Sequence, residues 1–433
     1  MITRKKPSII ILGDLILNQD LHGKASHLSP DAPVPVLAQT KIISTVGGAA
    51  NIAKNLAALE AKVTLIGITG QDAQGQEIRS ILHDCGIYNI ALVYDGRPTT
   101  SKTRILGNEQ HIVRIDREDT TSISDECQDK VLEIVRRCLP SVDTVLLADC
   151  EKGFFNPTLL AQIIGLAGAA GKRVLVDPSG WDFARYSGAS VLLPSLVELG
   201  RAFGTEIAID DAVLVDRAAR CVLLSTGAEA VVLSCGEKGV WVYQRGMKTI
   251  IPAVECAVVD VSGAEDSLVA AFTWILSRGD TILDAAVIGN LAGALAASKD
   301  GGVSITSAEL KVYVEIPEPK TSSKIVSRLE LVEKIAHAKA AGRRVVFTSG
   351  YFDLLHSAID LLQGAKAMGD LLVIGLNSDD RRVGAGGPIV PELQRAKLLA
   401  ALGCVDYVVP FTEETPLALI EAIRPDILVQ GAN

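Results

Sequence analysis

Residues 259–268, Val-Asp-Val-Ser-Gly-Ala-Glu-Asp-Ser-Leu, carry the strongest chemical signal in the chain. A small-residue turn, Ser262-Gly263-Ala264, opens into an apolar run at helical spacing: Leu268, Ala271, Phe272 and Ile275. Backbone N–H groups at a helix start have no intrahelical acceptors and sit at the positive end of the helix dipole, so they can hold phosphate oxygens. Asp266 falls in the first turn, where a carboxylate can take the proton of a hydroxyl attacking a phosphoryl group. A helix with a first-turn acid looks the same when the acid serves only the helix dipole, so this stretch alone leaves both readings open.

The elements that must position these residues follow from periodicity. Ser8–Leu12 reads as a buried strand ending at Gly13-Asp14, and residues 29–35 as a proline-stiffened extended segment. A helix opens at Val46-Gly-Gly-Ala-Ala-Asn51 and runs to about Leu59. From there strands and helices alternate as far as a pair of helices at Ser267–Ser277 and Ile282–Ser298. This rhythm predicts an α/β fold, a parallel sheet covered by helices on both faces. Residues 316–323, Ile-Pro-Glu-Pro-Lys-Thr-Ser-Ser, read as a linker. The expected division is a first domain over 1–315, a linker over 316–326, and a smaller Rossmann-like α/β domain over 327–433.

Composition narrows the class. The chain has 433 residues, 48% of them hydrophobic and 21% charged, enough for two or three folded domains. A net charge of −9 argues against a nucleic-acid partner and suits a small-molecule enzyme that gathers a local basic cluster for an anionic substrate. The eight cysteines are scattered, with no Cys-x-x-Cys pair, as expected of reduced cytoplasmic thiols without a zinc site. The apolar run after the basic start is too short for a signal peptide or a membrane span, so no membrane association is expected.

Several motifs together resemble the bifunctional heptose-7-phosphate kinase/adenylyltransferase family, which makes the ADP-heptose precursor of bacterial lipopolysaccharide. They are Gly13-Asp14, Leu28-Ser-Pro-Asp-Ala-Pro-Val-Pro-Val-Leu37, Gly47-Gly-Ala-Ala-Asn-Ile-Ala53, Ser101-Lys-Thr-Arg104, Val113-Arg-Ile-Asp116, Asp182-Phe-Ala-Arg-Tyr186 and Thr348-Ser-Gly-Tyr-Phe-Asp-Leu-Leu-His356. The resemblance implies a ribokinase-like domain with a small β-lid, followed by a nucleotidyltransferase-like domain. It implies ATP and Mg²⁺ as cofactors, a sugar phosphate such as heptose 7-phosphate as substrate, and a homodimer formed through the lid. Asp14, Gly47, Gly48 and Asn51 would hold the sugar: paired glycines let it approach the backbone, and the polar side chains direct its hydroxyls. Lys102, Arg104, Arg114 and Arg185 would meet the substrate phosphate. Ser234, Gly236 and Gly239 would line the ATP site, with Asn290 near the base and Gly263 and Ala264 at the anion turn. Asp266 would be the catalytic base, and Glu198 an indirect Mg²⁺ partner.

The chain also departs from the family pattern. Glu265 stands where the turn expects glycine; it takes space at the closest approach of backbone to phosphate and sets a carboxylate beside the γ-phosphoryl group. Asn18, His27 and Ser195 replace an expected Asp, Arg and Asn. In the second domain the two-histidine motif reads His356-Ser357-Ala358-Ile359, Ser349 replaces an Asn, and Val383 and Gly387 replace basic residues. The chain stops at Asn433, before the family's closing nucleotide-contact segment, although Asn377 and Asp379 survive. The expectation is a kinase whose second domain keeps the fold without the reaction. Two rivals remain: a catalytically silent sugar-phosphate or nucleotide-binding scaffold, and a kinase for a different sugar.

Overall fold

The computed structural model describes residues 6–108, 110–299, 301, 303–314, 324–352, 359–378, 392–413 and 415–430. The chain divides into two compact units, residues 1–310 and 311–433.

The first unit opens with β1 (Ser8–Leu28), β2 (Pro35–Gly48), α1 (Ala49–Ala58), β3 (Lys62–Ile68), α2 (Ala73–Asp84), β4 (Asn89–Val93), β5 (Thr100–Gly107) and β6 (Gln110–Arg117). It continues through α3 (Asp125–Cys138), β7 (Thr144–Ala148), α4 (Pro157–Ala169), β8 (Arg173–Asp177), β9 (Val191–Leu192), α5 (Leu196–Phe203) and α6 (Ala212–Thr226). It closes with β10 (Ala230–Ser234), β11 (Val240–Gln244), β12 (Met247–Ile251), α7 (Ala264–Leu276) and α8 (Ile282–Ala297), and the boundary between the units falls within α9 (Ser307–Val314).

The main sheet runs β12-β11-β10-β9-β8-β7-β1-β3-β4. It is parallel from β10 to β4, with β11 and β12 added antiparallel. Both faces are buried, which explains why its strands are continuous apolar runs. Ile9 and Ile11 pack into one layer with α1, α7 and α8, while Ile10 and Leu12 pack into the other with α3, α4 and α6.

The first strand does not end at Gly13-Asp14 as expected. It leaves the main sheet there and runs on to Leu28, pairing antiparallel with β2 and parallel with β5, which carries β6. These four strands form the lid. Leu15, Ile16 and Leu17 extend the apolar run and are buried, so nothing breaks the strand where the sheets diverge. β6 was absent from the expected elements because all its residues are exposed and half carry charge or amide groups.

The second unit comprises α10 (Arg328–Ala340), β13 (Val345–Gly350), α11 (Ile359–Ala367), β14 (Leu371–Asn377), α12 (Glu392–Ala401), β15 (Tyr407–Phe411), α13 (Leu417–Ile423) and β16 (Ile427–Leu428). Its sheet, β15-β14-β13-β16, is parallel throughout. Apolar layers cover both faces, one around Phe347 and Val373 and the other around Val346 and Leu372.

Candidate active site

α7 begins at Gly263, whose φ of 76° lies in the left-handed region. A β-carbon there would also come 3.3 Å from Asn51 Nδ2, a tight contact that would press on that amide, so glycine is required here chiefly for conformation. Ala264, Glu265 and Asp266 form the first turn of the helix. Asn51, in the first turn of α1, donates from Nδ2 to Asp266 Oδ2 at 2.5 Å. Two helix starts from opposite ends of the unit therefore meet at one carboxylate. Burial pushes that carboxyl up to about 6; the Asn51 bond pulls it down and the neighbouring Glu265 raises it. A base of that kind is ionised at neutral pH and still accepts a proton readily.

Gly48, with φ 59°, turns the chain from the lid into α1, and a β-carbon on it would lie 2.6 Å from the Asp14 carbonyl. Gly47 faces the Asn18 amide across the lid ladder. Asp14 is 1% exposed, and its carboxylate accepts from the backbone N–H groups of Cys150 (3.0 Å), Lys152 (3.1 Å) and Phe154 (3.0 Å). It therefore pins the loop after β7 next to Gly48, where a β-carbon would meet Cys150 Sγ at 3.2 Å. Burial, followed by the nearby Asp149, raises its carboxyl to about 6.

The four basic candidates separate. Strand register places Lys102 opposite Asn18 and Asp116, and Arg104 opposite Asp20 and Arg114, so all three lid cations share one face with Gly47. Arg104 pairs with Asp20 at 3.3 Å, and Arg114 with Asp116 at 2.8 Å. Asp260, shortly before the anion turn, is held below the usual carboxylate range by its hydrogen bonds from Ser262, with the Arg104 charge a small further cause. Arg185 is used differently, since its guanidinium is ion-paired to the buried Asp149 and donates to Tyr186 Oη at 2.8 Å.

On the nucleotide side, Ser234 ends β10, and Gly236 and Gly239 lie in the turn to β11. Ser234 Oγ donates to Glu265 Oε1 at 3.1 Å, tying the anion turn to the sheet. Ser195 and Ser234 are bridge partners, and Glu198 Oε2 accepts from Ser195 N and Oγ, both at 2.8 Å, as the capping box of α5. Asn290 Nδ2 donates to the Pro252 carbonyl at 2.8 Å, bracing the segment after β12.

Asp177, at the end of β8, escaped sequence reasoning, although an acid closing an apolar strand was the available signal. Burial, then the carboxylates of Glu198, Asp266 and Glu265, push its carboxyl well up. Acids that raise one another in this way suit a cation. Among the described residues no three ligating side chains converge tightly enough to hold a metal by themselves. This donor set fits a Mg²⁺ held by one or two carboxylates, nucleotide phosphates and water.

In the second unit, Asn377 ends β14, and its carbonyl accepts from the fully buried Arg395 at 3.1 Å. His356, Asp379 and residues 383–387 lie outside the described residues, as does most of the expected linker.

The profile of pfkB family carbohydrate kinases matches residues 6–309, and that of cytidylyltransferase-like proteins matches 347–433. The bifunctional protein HldE of Wolinella succinogenes is 37% identical over 434 residues, covering 99% of this chain and 91% of the relative. That of Geobacter sulfurreducens is 39% identical over 430 residues, covering 98% and 87%. The chain belongs to this family of bifunctional proteins. Two solved structures share the fold of the first unit. One is Arabidopsis thaliana ribokinase complexed with ribose and ATP (TM-score 0.58, 20% identity, 72% of this chain and 100% of that one). The other is Escherichia coli phosphofructokinase-2 in a tetrameric inhibited form (TM-score 0.59, 20% identity, 72% and 99%).

Proposed function

We propose that the first unit transfers the γ-phosphoryl group of ATP to the anomeric hydroxyl of a sugar phosphate, heptose 7-phosphate, on the route to ADP-heptose. The observation that carries this reading is the Asn51–Asp266 hydrogen bond at the mouth of the anion turn. Asp266 takes the hydroxyl proton, Asn51 fixes the carboxylate that receives it, and the N–H groups of the turn meet the transferred phosphoryl oxygens. Mg²⁺, when bound, would neutralise phosphate charge, and Asp177 and, indirectly, Glu198 would help to hold it. Lys102, Arg104 and Arg114 would receive the 7-phosphate from the lid. Asp14, Gly47, Gly48 and Asn51 would line the sugar side, and Ser234, Gly236, Gly239 and Asn290 the nucleotide side.

The domain limits proposed are 1–315 and 327–433, with the linker between them. The second domain is read as keeping the fold without adenylyl transfer, because glycine and one histidine are absent from the motif at 356–359. A homodimer through the lid is supported by its outer face, where register aligns Leu21 with Ile42 and Ile105 with Val113, and Ile115 is 54% exposed. No helix among the described residues is long and apolar enough to cross a membrane, and ATP with a sugar phosphate as substrates supports a cytoplasmic site of action.

Calorimetric titration with Mg·ATP, with and without heptose 7-phosphate, beside an ADP-release assay tests the reading. Turnover that disappears in Asp266→Asn is expected. Binding without turnover would favour a silent ligand-binding protein, and no binding of either ligand would refute the kinase reading.

A further inference from the structure

Beneath the site, three polar side chains are buried where α1 crosses α7 in a largely apolar layer. Asn55 and Ser267 are each 3% exposed and Asn51 is 8% exposed, among Ala53, Leu56, Leu268 and Ala271. Ser267 Oγ donates to Asn55 Oδ1 at 3.2 Å. Asn55 Nδ2 donates to the Asn51 carbonyl at 2.9 Å. The Asn51 side chain in turn donates to Asp266, whose backbone neighbour is Ser267. The ring is therefore closed: α7 to Asn55, Asn55 to Asn51, and Asn51 back to α7. Ser267 N also donates to the Gly263 carbonyl at 3.0 Å, which ties the same residue to the anion turn.

An apolar pair would pack this helix crossing without desolvating an amide and a hydroxyl, so stability does not call for the polar pair. Hydrogen bonds do supply direction. Helices packed only through alanine and leucine can slide or rotate by fractions of an ångström at little cost, whereas a closed ring has one register. A shift of that size at the crossing would move Asn51 relative to Asp266, since one residue rides on each helix.

We propose that Asn55 and Ser267 are positioning residues that lock α1 to α7 and so hold Asn51 on the carboxylate of Asp266. The part of this inference that concerns catalysis rests on the kinase reading; the geometric part does not.

The test is the paired variant Asn55→Leu/Ser267→Ala, which removes donor and acceptor together and leaves an apolar contact of similar volume. Its melting temperature is expected to be equal to or above that of the unaltered protein, because neither partner is stranded. The kcat for ADP release is expected to fall at least about tenfold with KM for ATP little changed, as displacement of a reacting group requires. The carboxyl titration of Asp266, followed by carbon-13 NMR, should move upward, because the Asn51 bond that favours the charged form is loosened. Asn51→Ala should produce the same upward movement, and adding it to the paired variant should change little further.

Ser267→Thr with Asn55 intact keeps the donor and should retain most of the activity. An unmoved Asp266 titration in the paired variant, or a loss of kcat that only tracks a loss of melting temperature, would overturn the proposal. If the unaltered protein releases no ADP, the kinase reading fails instead, while the Asp266 titration still decides whether the ring positions the carboxylate.

Discussion

Neutralising Glu265 should tighten nucleotide binding. Glu265 lies in the first turn of α7, exposed, with Oε1 3.1 Å from Ser234 Oγ. A phosphoryl group seated on the amides of that turn would lie about one to one and a half helix pitches, roughly 5–8 Å, from the carboxylate. Two unit charges at about 7 Å interact by about 2 kcal/mol at an effective dielectric of ~20, and by about 0.6 kcal/mol in water. Because Glu265 is exposed, the lower end applies and salt reduces it further. Glu265→Gln keeps an acceptor for Ser234 and removes only the charge, so the Kd for Mg·ATP should fall about two- to fivefold at low ionic strength. The gain should shrink as salt is added. Glu265→Gly also opens the space at the turn, and any gain beyond that of the Gln variant measures crowding, separately from repulsion. Titration calorimetry of both variants at two salt concentrations reads these effects. Weaker ATP binding in Glu265→Gln, with a raised Mg²⁺ requirement, would refute the repulsion argument and make Glu265 part of the metal's surroundings.

Because burial raises Asp14 and Asp266 to about 6, the folded chain holds protons between about pH 4 and 6 that the unfolded chain has already released. These two groups therefore favour the folded state more at pH 5 than at pH 7, and denaturant midpoints of the unaltered protein and Asp14→Asn across that range will show whether the slope weakens. Turnover runs the other way, rising with pH through about 6 as Asp266 ionises, and the midpoint should move lower in Glu265→Gln. Arg185→Ala should act chiefly on stability, at a cost of about 3–5 kcal/mol, because Asp149, with a side chain 2% exposed, loses its cation. A variant of normal melting temperature with a raised KM for the sugar phosphate would instead return Arg185 to the substrate. Ile115→Arg on the outer face of the lid should turn the proposed dimer into a monomer in sedimentation velocity, and an unchanged sedimentation coefficient would exclude this face as the interface.

Periodicity and local turn chemistry made much of this protein legible from its residues alone. The alternation of apolar strands with helices fixed a parallel sheet buried on both faces, because that pattern needs no knowledge of distant partners. The turn at Gly263 and the acid at Asp266 were likewise readable, since a left-handed glycine and a first-turn carboxylate are properties of a few consecutive residues. A small β-lid was implied by the resemblance alone; the run of β1 from one sheet into the other was not anticipated, because it depends on which strands pair with each half.

The tertiary structure alone decided which charges and amides meet. It brought Asn51 to Asp266 across 215 positions of sequence and Asn55 to Ser267 across 212. It placed Arg185 on Asp149, turned Glu198 back onto its own helix start, and joined Glu265 to Ser234. A side chain's type sets what it can bind; burial and the neighbours delivered by the fold set what it does bind, and pairings between distant segments leave no trace in local spacing.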